Sequence, residues 1–206
     1  MDGTIADHTG ALMCDLAKIQ SPGDPPITRH EYDEPDWVKE RKRLIRSQPG
    51  WWLNLKPIPL GFDIYHLARN IGFQINVLTK GPWTCPHAWT EKVQWCRREL
   101  HDDTKITISE DKSIVYGRVL VDDYIPYIIG WLLFRPRGLI VMPANDENVE
   151  YLAQAEDYCN RKDSPFNIRM DGMDAFNKAI QENRFFRYTG DQLDEVERAM
   201  RWAFDR

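Results

Sequence analysis

The chain has 206 residues, enough for one substantial core with at most a small second lobe. Lys and Arg number 27 and Asp and Glu 32, a formal charge of -5 with both signs mixed along the chain, so there is no general electrostatic reason to expect a nucleic-acid polymer as partner. The four cysteines, Cys14, Cys85, Cys96 and Cys159, form no C-x-x-C pair or zinc-spaced cluster, and apolar runs such as YIIGWLLF at 127–134 are too short for a bilayer span; reduced thiols, a cytoplasmic location and no membrane partner are expected.

After an opening MDGTIAD, Asp7 is placed to cap a helix over TGALMCDLAKI at 9–19, with Leu12, Leu16 and Ile19 on one side. Pro and Gly at 21–26 stop it. The charged segment at 34–50 predicts a second helix with Trp37, Arg41 and Leu44 or Ile45 at helical spacing. These two short helices make a small lobe. Pro57 and Pro59 precede a helix from about Leu60 to Gly72, and FQINVLT at 73–79 reads as a buried strand.

Pro86 opens the next helix, whose inward stripe is read as Trp89, Val93, Cys96 and Leu100. KITIS at 105–109, RVLVDD at 118–123 and GLIVMPA at 138–144 are further strands. The tail is read as two helices, at 171–186 and 189–206. The last has a Thr189/Gln192 capping box and an apolar edge of Leu193, Val196, Met200 and Phe204. The tail's helical periodicity argues against a strand there. Strands alternating with helices predict an α/β fold in three layers, a mainly parallel sheet covered on both faces, with chemistry beyond the carboxyl ends of the strands.

Four such ends carry complementary groups. DGT supplies Asp2, VLTKG a hydroxyl at Thr79 followed by Lys80, ISEDKS an ammonium at Lys112, and LVDDY the pair Asp122 and Asp123. Carboxylates are hard ligands for Mg²⁺, while a hydroxyl, turn N–H groups and a lysine suit phosphoryl oxygens. Acid, hydroxyl, lysine and acid pair are the parts needed to hold a phosphate beside a divalent metal. Read singly, each also fits a plain cap, turn or surface residue.

In this order, the motifs resemble those of the haloacid-dehalogenase superfamily of phosphatases. DGTIAD resembles the end of its D-x-D-G-T/V opening, VLTKG its Thr/Ser loop, EDK its lysine segment and VLVDD its acidic pair. PGWWLNLKPIPLG and TEKVQWCRREL are similar to the aromatic pair with L-x-P-x-x-G and the E-K-x-x-W helix of the 5'(3')-deoxyribonucleotidases. The resemblance runs from residue 2 to about 143.

It implies a Rossmann-type core at 1–14 and 56–206, with a helical tail at 149–206 and a helical cap at 15–55. It implies a Mg²⁺-dependent phosphatase that releases phosphate from (deoxy)nucleoside monophosphates through an aspartyl-phosphate. Asp2 becomes the general acid, with a backbone carbonyl toward the metal. Thr79 and Lys112 bind and neutralise the phosphate, Asp122 and Asp123 complete the metal site, and Lys80 and Lys92 join substrate binding. One of Trp51 and Trp52 is expected to face the base. The family's nucleophile falls immediately before Met1, so the natural protein is expected to begin upstream, with the written chain poorly folded or inactive. The alternative is a phosphate- or nucleotide-binding protein of the same fold without hydrolysis. A homodimer is left open.

Overall fold

The computed structural model describes residues 1–24, 34–163 and 171–206. The Pro-rich stop expected at 21–26 and the cap expected at 15–55 therefore fall partly outside the described residues.

Helix α1 spans His8–Lys18 and begins as expected, with the Asp7 carboxylate accepting from the Gly10 N–H at 2.8 Å. Leu12 and Leu16 are buried against Ile45 of α2, Asp36–Arg46, with Met13 and Trp51 alongside, while Ile19 is exposed. The buried face of α2 is Val38, Lys42 and Ile45; of the residues expected at helical spacing Ile45 is buried, Trp37 and Arg41 are half-buried and Leu44 is exposed. Lys42 is carried inside because its ammonium bonds the buried Glu34 carboxylate.

Helix α3, Pro59–Ile71, ends at Gly72 in the left-handed conformation that favours glycine. Strand β1, Asn76–Thr79, leads to α4, Pro86–Glu99, and to β2, Lys105–Ile108. A single 3₁₀ turn at Lys112–Ile114 precedes β3, Val119–Val121. The inward face of α4 differs from the predicted stripe. Trp89 is exposed, and Ala88, Glu91, Lys92, Trp95 and Cys96 are the buried positions. Two charged residues occupy that face, so an apolar pattern places it a step around the helix.

The run at 127–134 lies in α5, Ile125–Phe134, a core helix; no helix among the described residues is long and apolar enough to cross a membrane. Strand β4 is Leu139–Pro143, followed by α6, Tyr151–Asn160, which the sequence reading left unassigned. The tail holds a second departure from expectation. Helix α7, Met173–Gln181, stops well before Phe186, because Asn183 takes a positive φ and Phe185–Tyr188 then runs as strand β5. Aromatic residues favour a pleated surface once the turn releases them from the helix. Helix α8, Leu193–Asp205, follows a half-formed capping box in which Gln192 Oε1 accepts from the Thr189 N–H at 3.0 Å.

All strand pairs are parallel, but they form two sheets, β1-β2 and β3-β4-β5, where the sequence reading expects one. Between the facing edges of β1 and β3 lies a cavity of about 210 Å³ lined by Val77, Leu78, Val119, Leu120, Ile64 and Met200 among others. Ladder pairing therefore stops at β1 and β3. Alternation along β4 divides the core. Ile140 and Met142 pack with Ile128, Ile129, Leu132 and Phe176 of α5 and α7, whereas Leu139 and Val141 pack with Ile64, Val196 and Met200 of α3 and α8. Helices thus cover both faces of a buried parallel sheet, a mixed α/β architecture.

Candidate functional site

The carboxyl ends of β1 and β3, the opening loop and α4 meet on one side of the molecule. The opening loop is a tight turn in which the Met1 carbonyl accepts from the N–H groups of Thr4, Ile5 and Ala6. Gly3 is needed at its apex. Its φ is +72°, and a Cβ there would lie 2.0 Å from Asp123 Oδ2. A second glycine lets the loop sit down on α3, since a Cβ at Gly61 would lie 2.0 Å from the Thr4 carbonyl oxygen.

Lys92 is the centre of the arrangement. Its side chain is almost wholly buried, and Nζ donates to Asp2 Oδ2 at 2.5 Å, to the Lys80 carbonyl at 2.7 Å and to Thr79 Oγ1 at 3.4 Å. The same ammonium stands 4.5 Å from the centroid of the Trp52 ring. Burial of the Asp2 carboxyl pushes its pKa up, but the Lys92 ammonium, with further help from the Met1 amino group and then His8, holds it below the usual carboxylate range. Asp2 Oδ1 is buried and has no hydrogen-bond partner. One oxygen is satisfied and the other is left open, an arrangement that calls for a donor.

Lys112 and Asp122 form a second buried pair, 2.6 Å apart. Burial depresses the lysine, yet the Asp122 carboxylate outweighs it and raises the Lys112 pKa, and the ammonium also sits 4.2 Å from the Tyr127 ring centroid. Asp122 Oδ1 accepts from the Tyr124 N–H at 3.1 Å. Asp123 accepts from the Thr4 hydroxyl at 2.7 Å. Burial, then the negative charge of Asp122, pushes Asp123 up to about 6.

These partners overturn the expected metal site. Among the described residues no group of three or more His, Cys, Asp or Glu side chains could hold a metal ion. Asp2, Asp122 and Asp123 are engaged by Lys92, Lys112 and Thr4 respectively, so they do not form a common cage for Mg²⁺. The residues present do not fit that ion, and no chemistry is routed through it below.

Of the other predicted residues, Lys80 contributes its backbone carbonyl, while its exposed ammonium lies 4.0 Å from Glu110. Trp52 is buried, its indole N–H donating to the Arg46 carbonyl at 2.9 Å, and Trp51 donates to Asp15 at the same distance. The two rings meet edge to face at 4.9 Å, and His8 lies 5.3 Å from one and 5.2 Å from the other. Glu91, which sequence reasoning missed, fixes this aromatic loop. Its carboxylate accepts from the N–H groups of Gly50, Trp52 and Leu53 at 2.7, 3.1 and 3.4 Å. Its signal was its place next to Lys92 in the TEKVQW segment, where Lys92 was expected to bind substrate and Glu91 was given no role.

No family model matches the chain.

Proposed function

We propose that the chain acts on phosphate monoesters, with (deoxy)nucleoside monophosphates as the substrate class, and that the phosphoryl group is held by Thr79, Lys92 and Lys112 next to Asp2. The observation that carries this reading is the convergence of Asp2 and Thr79, from the opening loop and β1, within 3.4 Å of the buried Lys92 ammonium of α4. Two desolvated ammonium groups near strand ends can offer a dianion charge-assisted hydrogen bonds, strong where water is excluded, in exchange for those they make with Asp2 and Asp122. The resemblance to the deoxyribonucleotidase branch of the haloacid-dehalogenase phosphatases agrees with this chemistry, and the free cysteines fit the cytoplasmic setting proposed with it.

In the free protein Asp2 is held ionised by Lys92. An arriving phosphate draws the ammonium toward itself and brings negative charge beside Asp2. Both changes raise the carboxyl pKa. Asp2 then takes up a proton and can return it to the leaving oxygen as a water molecule bonds to phosphorus and the ester bond breaks, the role of a general acid; one proton of that water stays on the phosphate and the other restores Asp2. The open Oδ1 is the natural seat of that proton. Trp52, under Lys92, and His8 and Trp51 beside it form the aromatic side of the site from which a base is approached.

A second reading, binding without hydrolysis, is favoured by one observation. Asp122 and Asp123 are each turned to a partner of their own, so neither is free to attack phosphorus. Incubating the chain with deoxynucleoside monophosphates separates the two. Saturable binding with release of inorganic phosphate supports the hydrolase; saturable binding without release supports the binding protein. No binding of any nucleoside monophosphate overturns both.

A further inference from the structure

The opposite end of the three-stranded sheet carries a feature that the phosphate site does not use. Arg118 stands immediately before β3, Arg137 two residues before β4, and Arg184 immediately before β5. Parallel neighbours put these three amino ends side by side, across about 10 Å for two strand spacings. Arg206 joins them from beyond α8. Its guanidinium donates to the Arg137 carbonyl and lies 4.3 Å from the Trp202 ring centroid, while Arg118 donates to the Phe204 carbonyl. Arg135 stands over Tyr116 at 5.9 Å, and its Nε is buried without a partner.

Structural duties account for part of this cluster. Arg118 caps the Phe204 carbonyl in the last turn of α8, and Arg184 donates to the Gly138 carbonyl at 2.8 Å and pairs with Glu182 at the same distance. They do not account for Arg137, whose exposed guanidinium makes no hydrogen bond or ion pair among the described residues. The concentration is paid for in repulsion. Burial, then Arg137, Arg184 and Arg118, pull the Arg206 pKa below its ordinary value. Glu182 and Asp205 are the acids close to this face by sequence, and Glu182 is already paired. In a chain of net charge -5, this cluster stands out.

Two further properties narrow the ligand. The cluster is all arginine, whose planar fork matches phosphate oxygens two at a time. It is also bordered by rings open to solvent, Tyr116 at 79% and Trp202 at 54% exposure, on which a flat base can stack. The short span suits a chain of a few phosphates better than a long polymer. We propose that the arginine face at the amino ends of β3, β4 and β5 binds a polyphosphate bearing a flat base, the chemistry of a nucleoside triphosphate. The site lies at the far end of the strands from Asp122, about 13 Å away along β3 from Arg118 to Asp122, so it is separate from the monophosphate site.

The full chain is titrated calorimetrically with ATP, with inorganic tripolyphosphate, and with an oligonucleotide carrying a 5'-triphosphate, in the presence of chelator. Arg137→Ala is expected to weaken ATP binding about tenfold and Arg137→Glu further, with unchanged melting curves, because the side chain is exposed and unpaired. Trp202→Phe should narrow the preference for ATP over tripolyphosphate. Excess inorganic phosphate, a ligand for the site around Lys92, should leave ATP bound. Oligonucleotide binding no tighter than ATP assigns the site to the free nucleotide, whereas tighter binding assigns it to a strand end; both support the polyphosphate chemistry. Wild-type ATP affinity in both Arg137 variants, full displacement of ATP by excess inorganic phosphate, or equally tight binding of polyglutamate would overturn the proposal.

Discussion

Lys92 Nζ and Asp2 Oδ2 lie 2.5 Å apart although 90 residues separate them in the chain, and the lysine side chain is nearly sealed from solvent. A buried cation with one partner in an opening loop and another in a strand end ties α4, β1 and residues 1–6 into one unit. Removing either charge leaves the other uncompensated. Lys92→Met is expected to cost about 3 kcal/mol of stability, below the upper range for fully buried pairs because Asp2 keeps some solvent contact. The double variant Lys92→Met/Asp2→Asn should recover part of this loss. Denaturant unfolding of the two singles and the double measures the coupling, and strict additivity would refute the pair as an energetic unit.

The acidic pair predicts an unusual pH response. Asp123 has a native pKa of about 6 against a reference of 3.8, so between those values the folded chain binds more protons than the unfolded one. Its contribution is fully present below about 3.8 and is lost as pH rises through about 6. Asp2 acts in the opposite direction: its depressed pKa stabilises above the reference value, and that gain disappears as pH falls through the native pKa. Unfolding curves from pH 4 to 7 should therefore show Asp123→Asn losing stability less steeply with rising pH than the wild type. Parallel curves would place the Asp123 shift in error.

Glu91 is expected to govern the aromatic loop. Glu91→Ala removes the acceptor for three N–H groups and should cost about 2–3 kcal/mol, with a changed tryptophan emission as Trp51 and Trp52 loosen. Glu91→Gln keeps acceptor capacity and should lose less. Equal losses in both variants would indicate that packing, not hydrogen bonding, holds residues 50–53.

Gly61→Ala tests how the loop is seated. The added methyl meets the Thr4 carbonyl at 2.0 Å, a backbone contact that cannot rotate away, so a loss of about 3 kcal/mol or more is expected together with weakened phosphate binding. An unchanged melting temperature would mean that residues 1–6 are free to move off α3.

Much of this architecture was legible because local chemistry and tertiary packing agree. Asp7 capped α1, Gly72 ended α3, and the apolar runs before Thr79, Asp122 and Pro143 became strands. The failures share a cause: charged residues turned inward. Glu91, Lys92 and Lys42 occupy buried helix faces through pairs that no apolar pattern reveals. Strand β5 was hidden differently, since Phe185 and Phe186 continue the helical spacing of α7 until Asn183 breaks it. The candidate site was legible as a set of strand ends. Which carboxylate faces which lysine was not, because pairing across the fold is set by three-dimensional register, and that pairing is what excludes the expected metal cage.

The central claim is that Lys92, Thr79 and Lys112 form a binding site for a phosphate monoester. Its most direct measurement is calorimetric titration of the full chain with a deoxynucleoside monophosphate in chelator, beside the parent deoxynucleoside and the variants Lys92→Met and Thr79→Val. The account predicts saturable binding of the monophosphate and none of the nucleoside. It predicts loss of about tenfold or more in affinity in Lys92→Met and a smaller loss in Thr79→Val. Monophosphate affinity that equals that of the nucleoside, or that survives both substitutions while the proteins remain folded, would contradict it.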